Sequence, residues 1–211
     1  PVMFAGGHRT TEVIFSALTA YQNPLGKSVA KTQLQSYQYN SIIKILARRG
    51  YHSGFFQGSS KETSGTGSFA QSLGFEFSFG KKDVIKRTYE ENYWGIHDPD
   101  LYNFTLNKIQ NTIKEPFVVG INGATTHDDK IPVGIKKINF VENENLNNQL
   151  NTLHFSDFAL KNFVQKTKKQ YPNTVFVIFA DHVGGKISGN LENYMIPFAI
   201  YAPTLVKSEH I

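Results

Sequence analysis

The chain has 211 residues, 40% of them hydrophobic and 18% charged, with a formal charge of +5, enough for one substantial domain with a core of its own. It contains no cysteine, which excludes disulfides, thiolate metal ligands and a cysteine nucleophile. No apolar run approaches the roughly 20 residues that span a bilayer, the first residues show no secretory-signal pattern, and the basic residues are scattered in pairs such as Lys81-Lys82 and Lys168-Lys169, so a nucleic-acid partner is not expected.

Near the N-terminus, Gly6-Gly7-His8-Arg9-Thr10-Thr11-Glu12 leads into the apolar stretch Val13 to Leu18. The stretch reads as a helix with Thr10 or Thr11 at its N-cap and Glu12 in its first turn. A hydroxyl in that place is by default a cap. It is also a candidate nucleophile, because a helix N-terminus attracts anions and a metal-bound threonine alkoxide attacks phosphorus. Arg9 beside it can pair with a phosphate oxygen.

Tyr37 to Arg49 carries Ile42, Ile43, Ile45 and Leu46 in a helical pattern, with Gly50 placed to stop it. Tyr51 to Phe56 follows as a candidate strand. Asp100 to Ile113 is a second predicted helix, and the strand Phe117 to Ile121 then delivers Asn122-Gly-Ala-Thr125-Thr126-His127-Asp128. A loop histidine taken alone is more often structural than functional. The longest predicted helix is Leu150 to Lys169, with Leu153, Phe155, Phe158, Leu160 and Phe163 facing inward and lysines where they suit the helix dipole. Val175 to Phe179 and Pro197 to Tyr201 are apolar runs without polar alternation, the pattern of strands covered on both faces.

The first of those runs ends in Asp181-His182-Val183-Gly184-Gly185. Neighbouring strand side chains point to opposite faces, but a turn at the strand's end can aim both at one cation. A carboxylate with an imidazole suits Zn²⁺, Mn²⁺ or a similar ion. The plainer reading is a polar pair that closes a strand. Repetition of helix and strand predicts an α/β fold, a central, mostly parallel sheet with helices on both faces. In such folds chemistry sits beyond the carboxyl ends of the strands, which singles out 122–128 and 181–185.

Arg9-Thr10 before a helix, Thr126-His127 after a strand and Ala180-Asp181-His182 at a strand end, in that order, resemble the alkaline phosphatase and sulfatase superfamily. Within it the resemblance is to the lipoteichoic acid synthase and phosphoglycerol transferase branch. Arg49-Gly-Tyr-His52 entering Gly54-Phe-Phe-Gln-Gly58, Tyr93-Trp94-Gly95-Ile-His-Asp98, Phe155-Ser-Asp157-Phe-Ala-Leu160 and Ile196 to Pro203 extend it over nearly the whole chain. The resemblance implies an alkaline-phosphatase-like fold with Thr10 as nucleophile. It implies one divalent ion on Thr10, Asp181 and His182, with Mn²⁺ in first place and Zn²⁺ or Mg²⁺ as alternatives. Substrate contacts are implied for His127 and Arg9.

The implied reaction moves a phosphoglycerol-type group from a phospholipid or phosphoglycan substrate, through a phospho-threonine, to an acceptor hydroxyl or to water. It is expected on the extracytoplasmic side of a bacterial inner membrane, periplasmic or cell-surface, with a longer parent protein anchored in that membrane. Residues 1–211 are then expected to be part of a single catalytic domain, with an N-terminal strand bearing a further acidic ligand, and a C-terminal portion, lying outside them. Gln57 stands where lipoteichoic acid synthases have a histidine, 61–68 lacks the tryptophan and arginine that follow there, and the strand end reads Asp-His-Val-Gly-Gly. These departures leave the substrate open. A phosphodiesterase or phosphatase is the alternative activity, and a catalytically decayed binding domain is a third reading. Arg9-Thr10-Thr11-Glu12 lacks the cysteine or serine that a sulfatase converts to formylglycine.

Overall fold

Helix and strand alternate along the computed structural model, which describes residues 3–24, 26–183, 194–202 and 204–205. In chain order the elements are β1 (Met3–Phe4), α1 (Thr10–Thr19), α2 (Ile42–Ala47), β2 (His52–Gln57), α3 (Thr66–Ser72) and β3 (Phe77–Phe79). They continue with α4 (Asp98–Asn111), β4 (Phe117–Asn122), α5 (Glu144–Gln170), β5 (Phe176–Phe179), β6 (Met195–Ile196) and β7 (Phe198–Tyr201). Gly184, Gly185 and Pro203, quoted above in two of the motifs, lie outside the described residues.

The strand β2 is the middle of a parallel three-stranded sheet in the order β3-β2-β4. Its consecutive side chains Phe55 and Phe56 are both buried, on opposite faces, as in a strand covered on both sides. Phe56 packs with Ile96, Leu101 and Ile113 on the face that α4 covers. Phe55 packs with Ile43, Ala70 and Phe75, and with Ile14 and Leu18 of α1, on the other. Helices therefore cover this sheet on both sides, as the alternation of elements predicts.

The other two apolar runs behave differently. β5 pairs antiparallel with β7, from Phe176↔Tyr201 to Phe179↔Phe198, so these two runs are the exception in the mostly parallel arrangement that the sequence predicts. Phe176 and Ile178 pack under Phe163 of α5 and Leu106 of α4. Val175, Val177, Phe179, Ile200 and Tyr201 are exposed, because among the described residues only one face of this pair is covered. The inward face of α5 also differs from the predicted one. Phe155, Ala159, Phe163 and Thr167 recur every fourth residue and are buried, whereas Leu153 and Phe158 are exposed. The stripe runs along i, i+4 rows, and both exposed residues sit off it.

Local signals set the helix ends. Ser41 Oγ accepts from Lys44 N at 3.1 Å and starts α2 five residues later than Tyr37, where the apolar pattern had placed it. Gly50 closes the same helix region with φ +83°, and Tyr51 N returns to Leu46 O at 3.1 Å, a left-handed turn that costs glycine least. Asn143 caps α5 by accepting from Leu146 N at 3.0 Å. No helix among the described residues is long and apolar enough to cross a membrane.

The segment 195–201 acts as a splint. β1 pairs antiparallel with its first part and β5 with its second, so β1 and β5 run the same way and end on the same edge. That edge is where Thr10 and Asp181 follow.

One core histidine makes stability depend on pH. His97, just ahead of α4, is 3% exposed, lies against Tyr89 and Phe155, and has a buried Nδ1 without a partner among the described residues. Burial pushes its pKa below the ordinary 6.5, against the opposing charges of Asp98, Asp100 and Asp128. The unfolded chain therefore binds the proton more readily, and the stability held by neutral His97 is complete above about 6.5 and declines as the pH falls below it. Melting temperature is expected to fall between pH 7 and pH 5, and His97→Phe is expected to flatten that decline. An unchanged slope in the variant would remove His97 as a cause.

Candidate active site

Three strand ends meet at the edge that 195–201 organises. The five residues after β1 lead to Thr10, the first residue of α1. Two residues beyond β5 stands Asp181, and Thr10 Oγ1 donates to Asp181 Oδ2 at 2.6 Å across 171 positions of sequence. Beyond β4, a single 3₁₀ turn, Thr125–His127, carries His127 to within 6.3 Å of the His182 ring, centroid to centroid. The structure brings Thr10, Asp181, His182 and His127 to one place.

The threonines at the start of α1 divide their work. Arg9, not a threonine, occupies the N-cap, in an extended conformation and without a side-chain cap bond. The N-cap assignment made from sequence, Thr10 or Thr11, is thus moved one or two residues earlier. Thr11 is buried with its hydroxyl 2.8 Å from Ser28 Oγ. Thr10 Oγ1 is left for Asp181. The buried Glu12 carboxylate accepts from His8 N at 2.9 Å and folds the glycine-rich entry loop back onto the helix. Arg9 itself is exposed beside Thr10.

Asp181 and His182 satisfy the geometric condition for a shared cation. Asp181 Oδ1 accepts from His182 N at 2.9 Å, which turns the backbone at the strand end. His182 Nδ1 lies 3.0 Å from Val183 O. A carbonyl only accepts, so Nδ1 carries the hydrogen and Nε2 keeps its lone pair free. Nε2 is 3.4 Å from Asp181 Oδ2; two ligands at about 2.05 Å from one tetrahedral ion stand about 3.3 Å apart. Thr10 Oγ1, 2.6 Å from Asp181 Oδ2, stands beside them as a third potential donor atom. Among the described residues no group of three or more His, Asp or Glu side chains gathers at one point, so the set is one carboxylate, one imidazole and one hydroxyl.

His127 lies in the mouth of the site with part of its ring exposed. The protein around it holds its pKa below the usual imidazole value, Asp181 opposing that shift and His182 adding to it. The ring is stacked on Trp94, centroids 4.8 Å apart and planes 20° from parallel. Trp94 is the only tryptophan in the chain, and its contact with His127 is a feature that motif reading passed over. The two loops are tied together. Asn92 Nδ2 donates to Ala124 O at 3.1 Å, and Tyr93 N donates to Asp128 Oδ2 at 3.1 Å. Gln57, by contrast, is fully buried, with its amide turned to Ser59 and Ser60.

A family model described as Sulfatase matches residues 2–208. The lipoteichoic acid synthase-like protein YvgJ of Bacillus subtilis (strain 168) is 24% identical over 198 residues, 82% of this chain and 31% of that protein. A Vibrio parahaemolyticus protein of the alkaline phosphatase superfamily superposes with a TM-score of 0.82 at 25% identity, over 95% of this chain and 50% of its own. The lipoteichoic acid synthase LtaP of Listeria monocytogenes gives 0.82 at 18% identity, over 97% of this chain and 56% of its own. The fold is therefore the alkaline-phosphatase-like α/β fold, and the chain spans about a third to a half of the length of these relatives.

Proposed function

This chain belongs to the sulfatase family, and from that premise we propose that it is part of a single catalytic domain that transfers a phosphoglycerol-type group through a phospho-threonine on Thr10. The observation that carries the reading is the 2.6 Å contact of Thr10 with Asp181, made at the strand ends where His182 and His127 also arrive. Similarity to a lipoteichoic acid synthase-like protein supports the phosphoglycerol class of substrate. A lipid- or glycan-linked substrate on the outer side of a bacterial membrane is part of the same proposal.

Thr10, Asp181 and His182 would hold the divalent ion, Mn²⁺ before Zn²⁺ or Mg²⁺. When bound, the ion supplies positive charge to the transferring group and lowers the pKa of the hydroxyl. Thr10 Oγ1 gives up its proton to solvent and forms a bond to phosphorus as the ester P–O bond breaks, and the departing alkoxide takes up a proton from solvent, so no net proton is gained or lost. Asp181 Oδ2, already paired with the Thr10 hydroxyl, aims that hydroxyl away from solvent. His127 donates a hydrogen bond to a phosphoryl oxygen, while the exposed Arg9 offers a second. An acceptor hydroxyl or water then attacks the phospho-threonine, and Thr10 is restored.

The complete domain is expected to turn over an aryl phosphodiester with Mn²⁺ present, to stop in EDTA and to recover on re-addition of the ion. Acid-quenched enzyme should carry a phosphoryl adduct on the peptide that contains Thr10, read by mass spectrometry. Turnover without any adduct there would remove Thr10 as nucleophile. Transfer to glycerol in place of water, read from the product, separates transferase from hydrolase.

A further inference from the structure

We propose that Asp98 is a positioning residue for this reaction, a buried carboxylate whose work is to hold the loop that presents His127. The inference rests on the phosphoryl-transfer reading.

Asp98 begins α4 and is 2% exposed. A carboxylate is rarely buried without partners, and every partner here is a donor. Oδ1 accepts from Ala124 N at 2.9 Å and from Thr125 N at 3.2 Å. Oδ2 accepts from the hydroxyl of Ser156, on the buried side of α5. The Asp98 backbone N–H completes the set by donating to Thr125 Oγ1 at 2.8 Å. Three bonds thus fasten the two residues that open the 3₁₀ turn ending in His127, and a fourth ties Asp98 to α5. The fit leaves no slack: a Cβ on Gly123 would stand 2.8 Å from Asp98 Oδ1.

The charge has no other evident use. Asp98 makes no ion pair among the described residues, and its position at a helix N-terminus needs no burial to be favourable. The cost of burying it is offset by the bonds to the His127 loop, and bonds to a charged acceptor are the stronger kind. The loop is thereby tied to α4 and, through Ser156, to α5. His127 sits two residues past the fastened amides, its ring held on the far side by Trp94. A loosened turn displaces the imidazole from the phosphoryl group, and misplacement of about 1 Å costs on the order of 10²-fold in rate.

The test is a cycle of Asp98→Ala and His127→Ala in the Mn²⁺-loaded protein, with an aryl phosphodiester as probe. D98A is expected to lower kcat about 10- to 100-fold with KM and metal content nearly unchanged. In the H127A background the same change should add less than about two-fold, because coupled residues are not additive. D98N keeps an oxygen for the two amides and should recover most of the loss. Amide exchange at Ala124 and Thr125 should quicken in D98A. Losses that multiply in the H127A background, or unchanged exchange at those amides, would overturn the role. If D98A does not fold, D98N carries the same cycle with an expected loss of a few-fold. A loaded wild type without turnover would sink the phosphoryl-transfer reading and this role with it, whereas an active wild type with additive losses sinks this role alone.

Discussion

Thr10→Ala is expected to cut turnover of an aryl phosphodiester by about 10³-fold or more, the scale on which loss of a nucleophile is felt. The fold should survive. Thr10 does not cap α1, since Arg9 holds that position, and its hydroxyl makes its one bond to Asp181 at a part-buried site. Losing such a bond costs about 1 kcal/mol, and alanine is the better helix former. Thr11→Ala is the informative contrast. Its hydroxyl is buried against Ser28, so this change should lower the melting temperature while kcat stays within a few-fold. Equal turnover by wild type and the Thr10 variant would defeat the nucleophile assignment, and parallel losses in both variants would point to helix α1 rather than to one hydroxyl.

Adjacent threonines with opposite duties show where the sequence was legible. The strand ends could be read because a run of apolar residues that stops at Asp181, or at Asn122, marks its own carboxyl terminus. The motif Arg9-Thr10 could be read by resemblance, although its cap geometry could not: Thr10 and Thr11 are equivalent as cap formers until partners 17 and 171 residues away separate them. Burial was misjudged wherever it depended on a neighbour. Val177 and Phe158 are as apolar as Ile178 and Phe163, and only the placement of α5 against β5 decides which are covered. Asp98 was visible as part of a motif but not as a latch, because its bonds reach residues 26, 27 and 58 positions later. Within the splint, Pro197 to Tyr201 was read as one strand in a parallel sheet. The splint's two antiparallel pairings, which bring Thr10 to Asp181, are a matter of topology and leave no mark in local composition.

The proposed ion depends most on the other side of that contact. The wild-type domain is expected to bind a single equivalent of Mn²⁺ or Zn²⁺ by calorimetry, and Asp181→Ala to remove it, weakening affinity by more than about 100-fold. Changes one shell further out already cost 10- to 100-fold, and Asp181 is the sole carboxylate of the described set. It also does two things at once. Oδ2 faces Thr10 and His182 Nε2, while Oδ1 accepts from His182 N and shapes the turn. Asp181→Asn separates them, since an amide oxygen can keep the Oδ1 bond while the negative charge is gone. If charge toward the ion is what matters, Asn should bind metal nearly as poorly as Ala. If the turn is what matters, Asn should bind nearly as well as wild type, because His182 stays aimed. Full metal content in both variants would end the metal reading at this strand end. It would leave the 2.6 Å contact between Thr10 and Asp181 as an acid–hydroxyl pair whose effect on turnover the Asp181 variants report directly.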